Sequence, residues 1–280
     1  MGYHTEALIA ELSQVANVLR RSVMDEVYHA QSGHIGGSLS AADIVAALYF
    51  HQMKLDPERP DWEKRDRFIL SKGHAAPILY AALAHRGFFP VAELNTARAL
   101  DSRLQGHPDR LKTPGVEMSS GALGHGLSIG TGLALAAKLK GEPHRIYVYL
   151  GDGEIQAGVI WEGAMAAAKY KLQNLTAILD YNDVQLDGFV HDIMPLEPLV
   201  EKWRSFGWHT LELDGHNMRQ ILEALDEVEN IHDRPTVLIA HTTKSKGVSF
   251  MENRSEWHGK PPNREQYERA MAELGGEIDG

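Results

Sequence analysis

Ile146-Tyr147-Val148-Tyr149-Leu150 runs without a break into Gly151-Asp152-Gly153-Glu154, and Leu175-Thr176-Ala177-Ile178-Leu179-Asp180 runs into Tyr181-Asn182-Asp183-Val184. A continuous apolar run ending in a turn is the pattern of a strand buried on both faces. Gln156 to Leu172 lies between the two runs and predicts a helix. Strand, helix and strand make one crossover, which places Asp152 and Asn182 at the carboxyl ends of adjacent parallel strands. Ligands of doubly wound sheets bind just beyond those ends. Two glycines around Asp152 let the backbone turn sharply and be approached closely. A carboxylate, an amide oxygen and a loop carbonyl suit Mg²⁺ or Ca²⁺, and Mg²⁺ fills its remaining positions with water and phosphate oxygens. The pairing predicts a metal-bridged diphosphate.

Outward from this unit the alternation continues. Apolar residues on one face predict a helix over 6–30, and Ser40 with Asp43 reads as a capping box for a helix to about residue 51. Phe68–Ser71 predicts a strand, 75–86 a helix, 101–122 a long polar connection and 124–140 a small-residue helix. Helices at 195–206 and 217–229 alternate with strands at 208–213 and 235–241. A Gly/Pro-rich loop (244–262) and a short helix (263–274) follow. The expectation is α/β: a mostly parallel, doubly wound sheet with helices on both faces. We expect a single domain over 1–280, with 244–280 as its C-terminal loop and helix.

The 280 residues carry 28 Lys and Arg against 38 Asp and Glu, a formal charge of −10, and show no basic stripe for nucleic acid. The absence of Cys excludes disulfides, thiolate metal sites, iron–sulfur clusters and a Cys nucleophile. No apolar run approaches the ~20 residues of a membrane helix. The first residues lack the basic and apolar regions of a secretory signal, so a cytoplasmic location is expected. Histidine is plentiful, at 15 residues. Four stand in Gly-containing loops: Ser32-Gly33-His34-Ile35-Gly36-Gly37, Ser71-Lys72-Gly73-His74, Gln105-Gly106-His107-Pro108 and Trp257-His258-Gly259. Ser119-Ser120-Gly121-Ala122-Leu123-Gly124-His125-Gly126 lies among them. The other histidines read as surface or capping residues, and His125 is left out of the site.

Gly-Asp-Gly followed by Asn182 resembles the thiamine diphosphate signature. Together with the histidine loops, in order and spacing, it resembles the diphosphate-binding domain of transketolase from about residue 10 to residue 262. The resemblance implies the thiamine diphosphate-binding fold. It also implies Mg²⁺, with Ca²⁺ or Mn²⁺ as substitutes, held by Asp152, Asn182 and the Val184 carbonyl. His74, His258, Gly121, Ala122, Leu123, Gly153 and Asn182 would contact the cofactor. His34, His107 and His258 would face the sugar as the catalytic histidines. The implied activity is transfer of a two-carbon ketol unit from a ketose phosphate or related ketose to an aldose. Carbanion chemistry of this kind belongs to the cofactor, while the protein orients it and moves protons.

Transketolases are more than twice this long. Their second domain holds the aminopyrimidine, a catalytic glutamate and arginines for the substrate phosphate, and no segment here matches it. The resemblance therefore implies the N-terminal subunit of a split transketolase. Its partner would be a C-terminal subunit with the pyrimidine-binding domain, in a heterotetramer of two plus two, with neither nucleic acid nor membrane as a partner. Ala157 departs from the family, which commonly has an acid there, and Ala122 stands where Pro is frequent. A 1-deoxyxylulose-5-phosphate synthase or the α chain of a 2-oxoacid dehydrogenase fits the histidine loops less well. Gly124-His125-Gly126, with no strand before it, is a poor nicotinamide fingerprint. A non-catalytic cofactor-binding subunit would have no chemical need for His34 and His107.

Overall fold

The apolar runs become five strands: β1 (Arg67–Leu70), β2 (Ile146–Gly151), β3 (Leu175–Tyr181), β4 (His209–Asp214) and β5 (Thr236–His241). In the computed structural model, which describes residues 4–275, they pair in parallel throughout in the order β1-β2-β3-β5-β4. Residues 1–3 and the end of the expected 244–280 segment lie outside the described residues. Helices α1 (Glu6–Ala30), α2 (Gly36–Ser40), α3 (Ala42–Ala47), α4 (Ala76–Arg86) and α5 (His125–Lys140) precede α6 (Gly158–Lys169) and α7 (Val190–Ile193). They are followed by α8 (Leu199–Ser205), α9 (Met218–Glu229) and α10 (Arg264–Glu273).

The pleat sorts side chains by alternation. Ile146, Val148 and Leu150 of β2 join Leu175, Ala177 and Leu179 of β3 in a core shared with α5, α6 and α8. Tyr147, Tyr149 and Ile178 point the other way, into a core shared with α1, α3, α4, α9 and α10. Every strand residue of β2 is buried, as the unbroken apolar run requires. Among the described residues no helix is long and apolar enough to cross a membrane.

Two boundaries differ from expectation for identifiable reasons. Ser40 caps no helix. It ends α2, and its hydroxyl donates to the buried Asp180 carboxylate at 2.7 Å. Asp43 is bound by Arg20 and by His216 Nδ1 instead of a backbone amide. Buried ionised partners outcompete a local cap, because leaving them unpaired costs more. The 195–206 helix begins only at Leu199, directly after Pro198, a residue suited to a helix start by its lack of an N–H.

Helix α1 buries one carboxyl, Glu26, whose Oε2 has no hydrogen-bond partner. Burial pushes its pKa up to about 8, although the Arg98 charge pulls the other way. The folded protein therefore keeps a proton that the unfolded chain releases above its ordinary value of 4.5. Stability from this group is complete below that value and is lost as pH rises toward 8. Glu26→Gln should flatten the pH dependence between 5 and 8 and stabilise the fold at pH 8 by about 2 kcal/mol. Urea unfolding at the two pH values measures this; an unchanged slope with pH would refute it.

Candidate metal and diphosphate site

Parallel pairing of β2 and β3 sets Gly151 against Asp180, so the two turns leave the sheet side by side. Asp152 is 3% exposed. Its Oδ2 accepts the backbone N–H of Asn182 at 3.0 Å and of Asp183 at 2.7 Å, and its Oδ1 accepts that of Gly153 at 2.7 Å. The two turns are thus one unit. Asn182 donates Nδ2 to Asp180 at 3.1 Å, and its Oδ1 accepts the Val184 N–H at 3.2 Å. The Val184 carbonyl accepts Lys244 Nζ at 2.6 Å.

His34, His74 and His258 converge, with ring centroids 5.1 to 5.3 Å apart in each pair. Burial is the main cause of their low basicity. His34 falls to about 4, helped by Arg98, His107 and Lys244, and His258 to about 3, helped by Lys244. His74 lies further down, beside Lys72. All three are neutral at pH 7, each with one N–H to donate. His107 is exposed on the neighbouring loop, its ring facing Gly121. Gly121, Ala122 and Leu123 are exposed on a loop packed over the Gly73 turn, where a Cβ would fall 2.5 Å from Ser120 Oγ. The structure thus gathers the predicted residues around the carboxyl ends of β1, β2, β3 and β5.

Several residues of this region, some of them inside the quoted motifs, are given no role by the sequence reading. Lys72 is buried in an ion pair with Asp180, which also accepts from Ser40, Thr242 and Asn182. Glu154 ties three segments, accepting Gly124 N–H at 2.7 Å, Gly151 N–H at 3.0 Å and the Ser71 hydroxyl. Lys244 also reaches His258 Nδ1 at 2.9 Å. It follows the carboxyl end of β5, so the rule that finds Asp152 and Asn182 would find it too. His216, read as a surface residue, accepts the Thr243 N–H at Nε2 (2.8 Å) and holds the loop that carries Lys244.

Burial and the Asp180 charge push the Asp152 carboxyl up, burial pushes the Lys244 ammonium down, and each of the two partly offsets the other's shift. His34 Nδ1 and Ser120 Oγ are buried without partners. Among the described residues no three His, Cys, Asp or Glu side chains form a metal cage. An ion bound to Asp152 and Asn182 would need ligand oxygens from elsewhere. A divalent cation would take the Asp152 and Asn182 oxygens, and diphosphate oxygens would give Lys244 and the unpartnered polar atoms their partners, so the residues present fit a metal–diphosphate group.

Fold and site together define a parallel α/β domain with a charged, histidine-lined pocket at the carboxyl ends of its strands. The family model described as "Transketolase, thiamine diphosphate binding domain" matches residues 12–279, and the chain belongs to that family. It is 44% identical over 264 residues to the 6-deoxy-6-sulfo-D-fructose transketolase subunit of Clostridium sp. (strain MSTE9), covering 94% of this chain and 96% of that one. It is also 44% identical to an apulose-4-phosphate transketolase subunit of Phocaeicola vulgatus, covering 93% and 92%. Transketolase of Campylobacter jejuni superposes with a TM-score of 0.90 at 34% identity. That match covers 95% of this chain but only 43% of the solved one, so the chain spans less than half the length of a complete transketolase.

Proposed function

We propose that the chain is the N-terminal subunit of a two-chain transketolase. It would move a two-carbon ketol unit from a ketose phosphate or related ketose to an aldose, in a cytoplasmic assembly of two plus two chains. The observation that supports this most is the convergence of Asp152, Asn182 and Lys244 at the strand ends with three mutually packed histidine rings. The two named relatives match this chain over nearly their whole length and are themselves called subunits. By their names both act on sugars bearing an anionic group, and an anionic sugar is the substrate class we assign here.

In this reading Asp152, Asn182 and the Val184 carbonyl, which here accepts Lys244 Nζ, would hold Mg²⁺. His74, His258 and Lys244 would hold the diphosphate, and Gly121, Ala122, Leu123 and Gly153 would line the cofactor. Bound thiamine diphosphate supplies the electron sink for cleavage beside a carbonyl. Neutral imidazoles suit the remaining work, because a group with one N–H and one free nitrogen can give and take a hydroxyl proton. His34, His107 and His258 orient the sugar and carry those protons. The ylid-activating glutamate is assigned to the partner chain.

The purified chain should bind Mg²⁺ and thiamine diphosphate yet transfer no ketol groups. Activity should emerge when the second-half transketolase chain of the same genome is added. A normal rate from the chain alone would overturn the two-chain proposal.

A further inference from the structure

Arg98 belongs to none of the motifs of the site. It sits in the polar stretch before His107 with a φ of +62°, a left-handed conformation in which Gly and Asn are favoured. Its side chain is what the position uses. The backbone N–H of Arg98 donates to the Leu104 carbonyl at 2.8 Å and closes the loop. Nη1 donates to Ser32 Oγ at 2.9 Å, two residues before His34. The guanidinium lies against Gly106, next to His107: a Cβ there would be 2.8 Å from both Cζ and Nη2. One cation therefore touches the loops of both histidines. Glu26 lies buried nearby, close enough for the Arg98 charge to act on its carboxyl. Tyr80 anchors the same loop from below by donating to the Gln105 carbonyl at 2.8 Å.

We propose that Arg98 is a positioning residue that fastens the His107 loop to the His34 loop and so fixes the two imidazoles relative to each other. That they face the sugar rests on the transketolase reading; the fastening itself does not. The cation also has an electrical consequence. Charges that face His34 come from Arg98, His107 and Lys244, with the His74 and His258 rings alongside. His107, at the surface but partly covered, is lowered by that partial burial and then by Arg98. A proton on either imidazole meets the same fixed positive charge, so both stay neutral over a wider range of pH.

The test uses the full chain with two variants. Arg98→Met removes the cation. Gly106→Ala keeps it but displaces the guanidinium, a flexible side-chain end that can move without unfolding the loop. In Arg98→Met, histidine-resolved NMR titration should show both His34 and His107 titrating at higher pH. Amide exchange over 104–107 should quicken ~10-fold in both variants, the size of one lost charge-assisted hydrogen bond. Affinity for Mg²⁺ with thiamine diphosphate should stay within ~2-fold, since no assigned cofactor contact is altered. Unchanged exchange, or unchanged titration in Arg98→Met, would overturn the proposal. With the partner chain added, KM for the ketose donor should rise ~10-fold. Exchange and titration that shift as expected, with no ketol transfer in any mixture, would sink the transketolase reading and leave the Arg98 fastening intact.

Discussion

Asp152→Asn should weaken Mg²⁺-dependent binding of thiamine diphosphate to the chain by ~100-fold or more, the scale of losing one partner from a buried charge pair. The substitution is nearly isosteric, so the effect reads charge more than shape. The amide oxygen at Oδ2 could still accept the Asn182 and Asp183 N–H groups and keep the two turns joined, while Nδ2 at the place of Oδ1 would cost the Gly153 N–H its acceptor. What disappears is the anion that a hard cation requires. Calorimetric titration with Mg²⁺ and thiamine diphosphate is the measurement, run on wild type and variant at the same pH. If affinity survives the substitution, the ligand assignment is wrong, and the diphosphate is held by Lys244 and the histidines without an ion at Asp152.

Lys72→Met should destabilise the fold by about 3–5 kcal/mol, because it strands a buried carboxylate. Lys72 is 2% exposed and Asp180 has no exposure at all. Lys72 holds Asp180 below its ordinary range against the pull of burial, and it also donates to the Gly37 carbonyl at 3.1 Å. Methionine fills similar space but leaves Asp180 with only the hydroxyls of Ser40 and Thr242 and the amide of Asn182. Urea denaturation should show the loss, and Lys72→Met combined with Asp180→Asn should recover much of it. Equal stability for Lys72→Met and wild type would mean that water reaches Asp180 and the pair is not sealed.

Much of the fold and site is legible in the sequence, and the reasons are local. The runs Ile146–Leu150 and Leu175–Asp180 are apolar at every position but Thr176 and the last, which only doubly covered strands tolerate well. Their turns therefore have to lie together, and Asp152 and Asn182 with them. His34, His74, His107 and His258 are legible only jointly, because the order and spacing of their Gly-containing loops resemble those of transketolase; any one of them alone would read as structural. What escapes such reading depends on partners far away in the chain. Ser40 looks like a cap until a carboxylate 140 residues away claims its hydroxyl. His216 looks like a surface histidine until the Thr243 amide and Asp43 take both its nitrogens. Arg98 looks like one more loop charge until Ser32 and Gly106 lie on either side of it. Period and turn chemistry say nothing about such contacts.

Asp180 gathers donors from Ser40, Lys72, Asn182 and Thr242. During synthesis these arrive one after another, and the last leaves the ribosome roughly two hundred residues after the first. No shorter nascent chain can complete the hub. Contacts of such long sequence separation form slowly. The pocket should therefore be among the last parts of the protein to mature, and cofactor capture should report completed folding rather than guide its early stages.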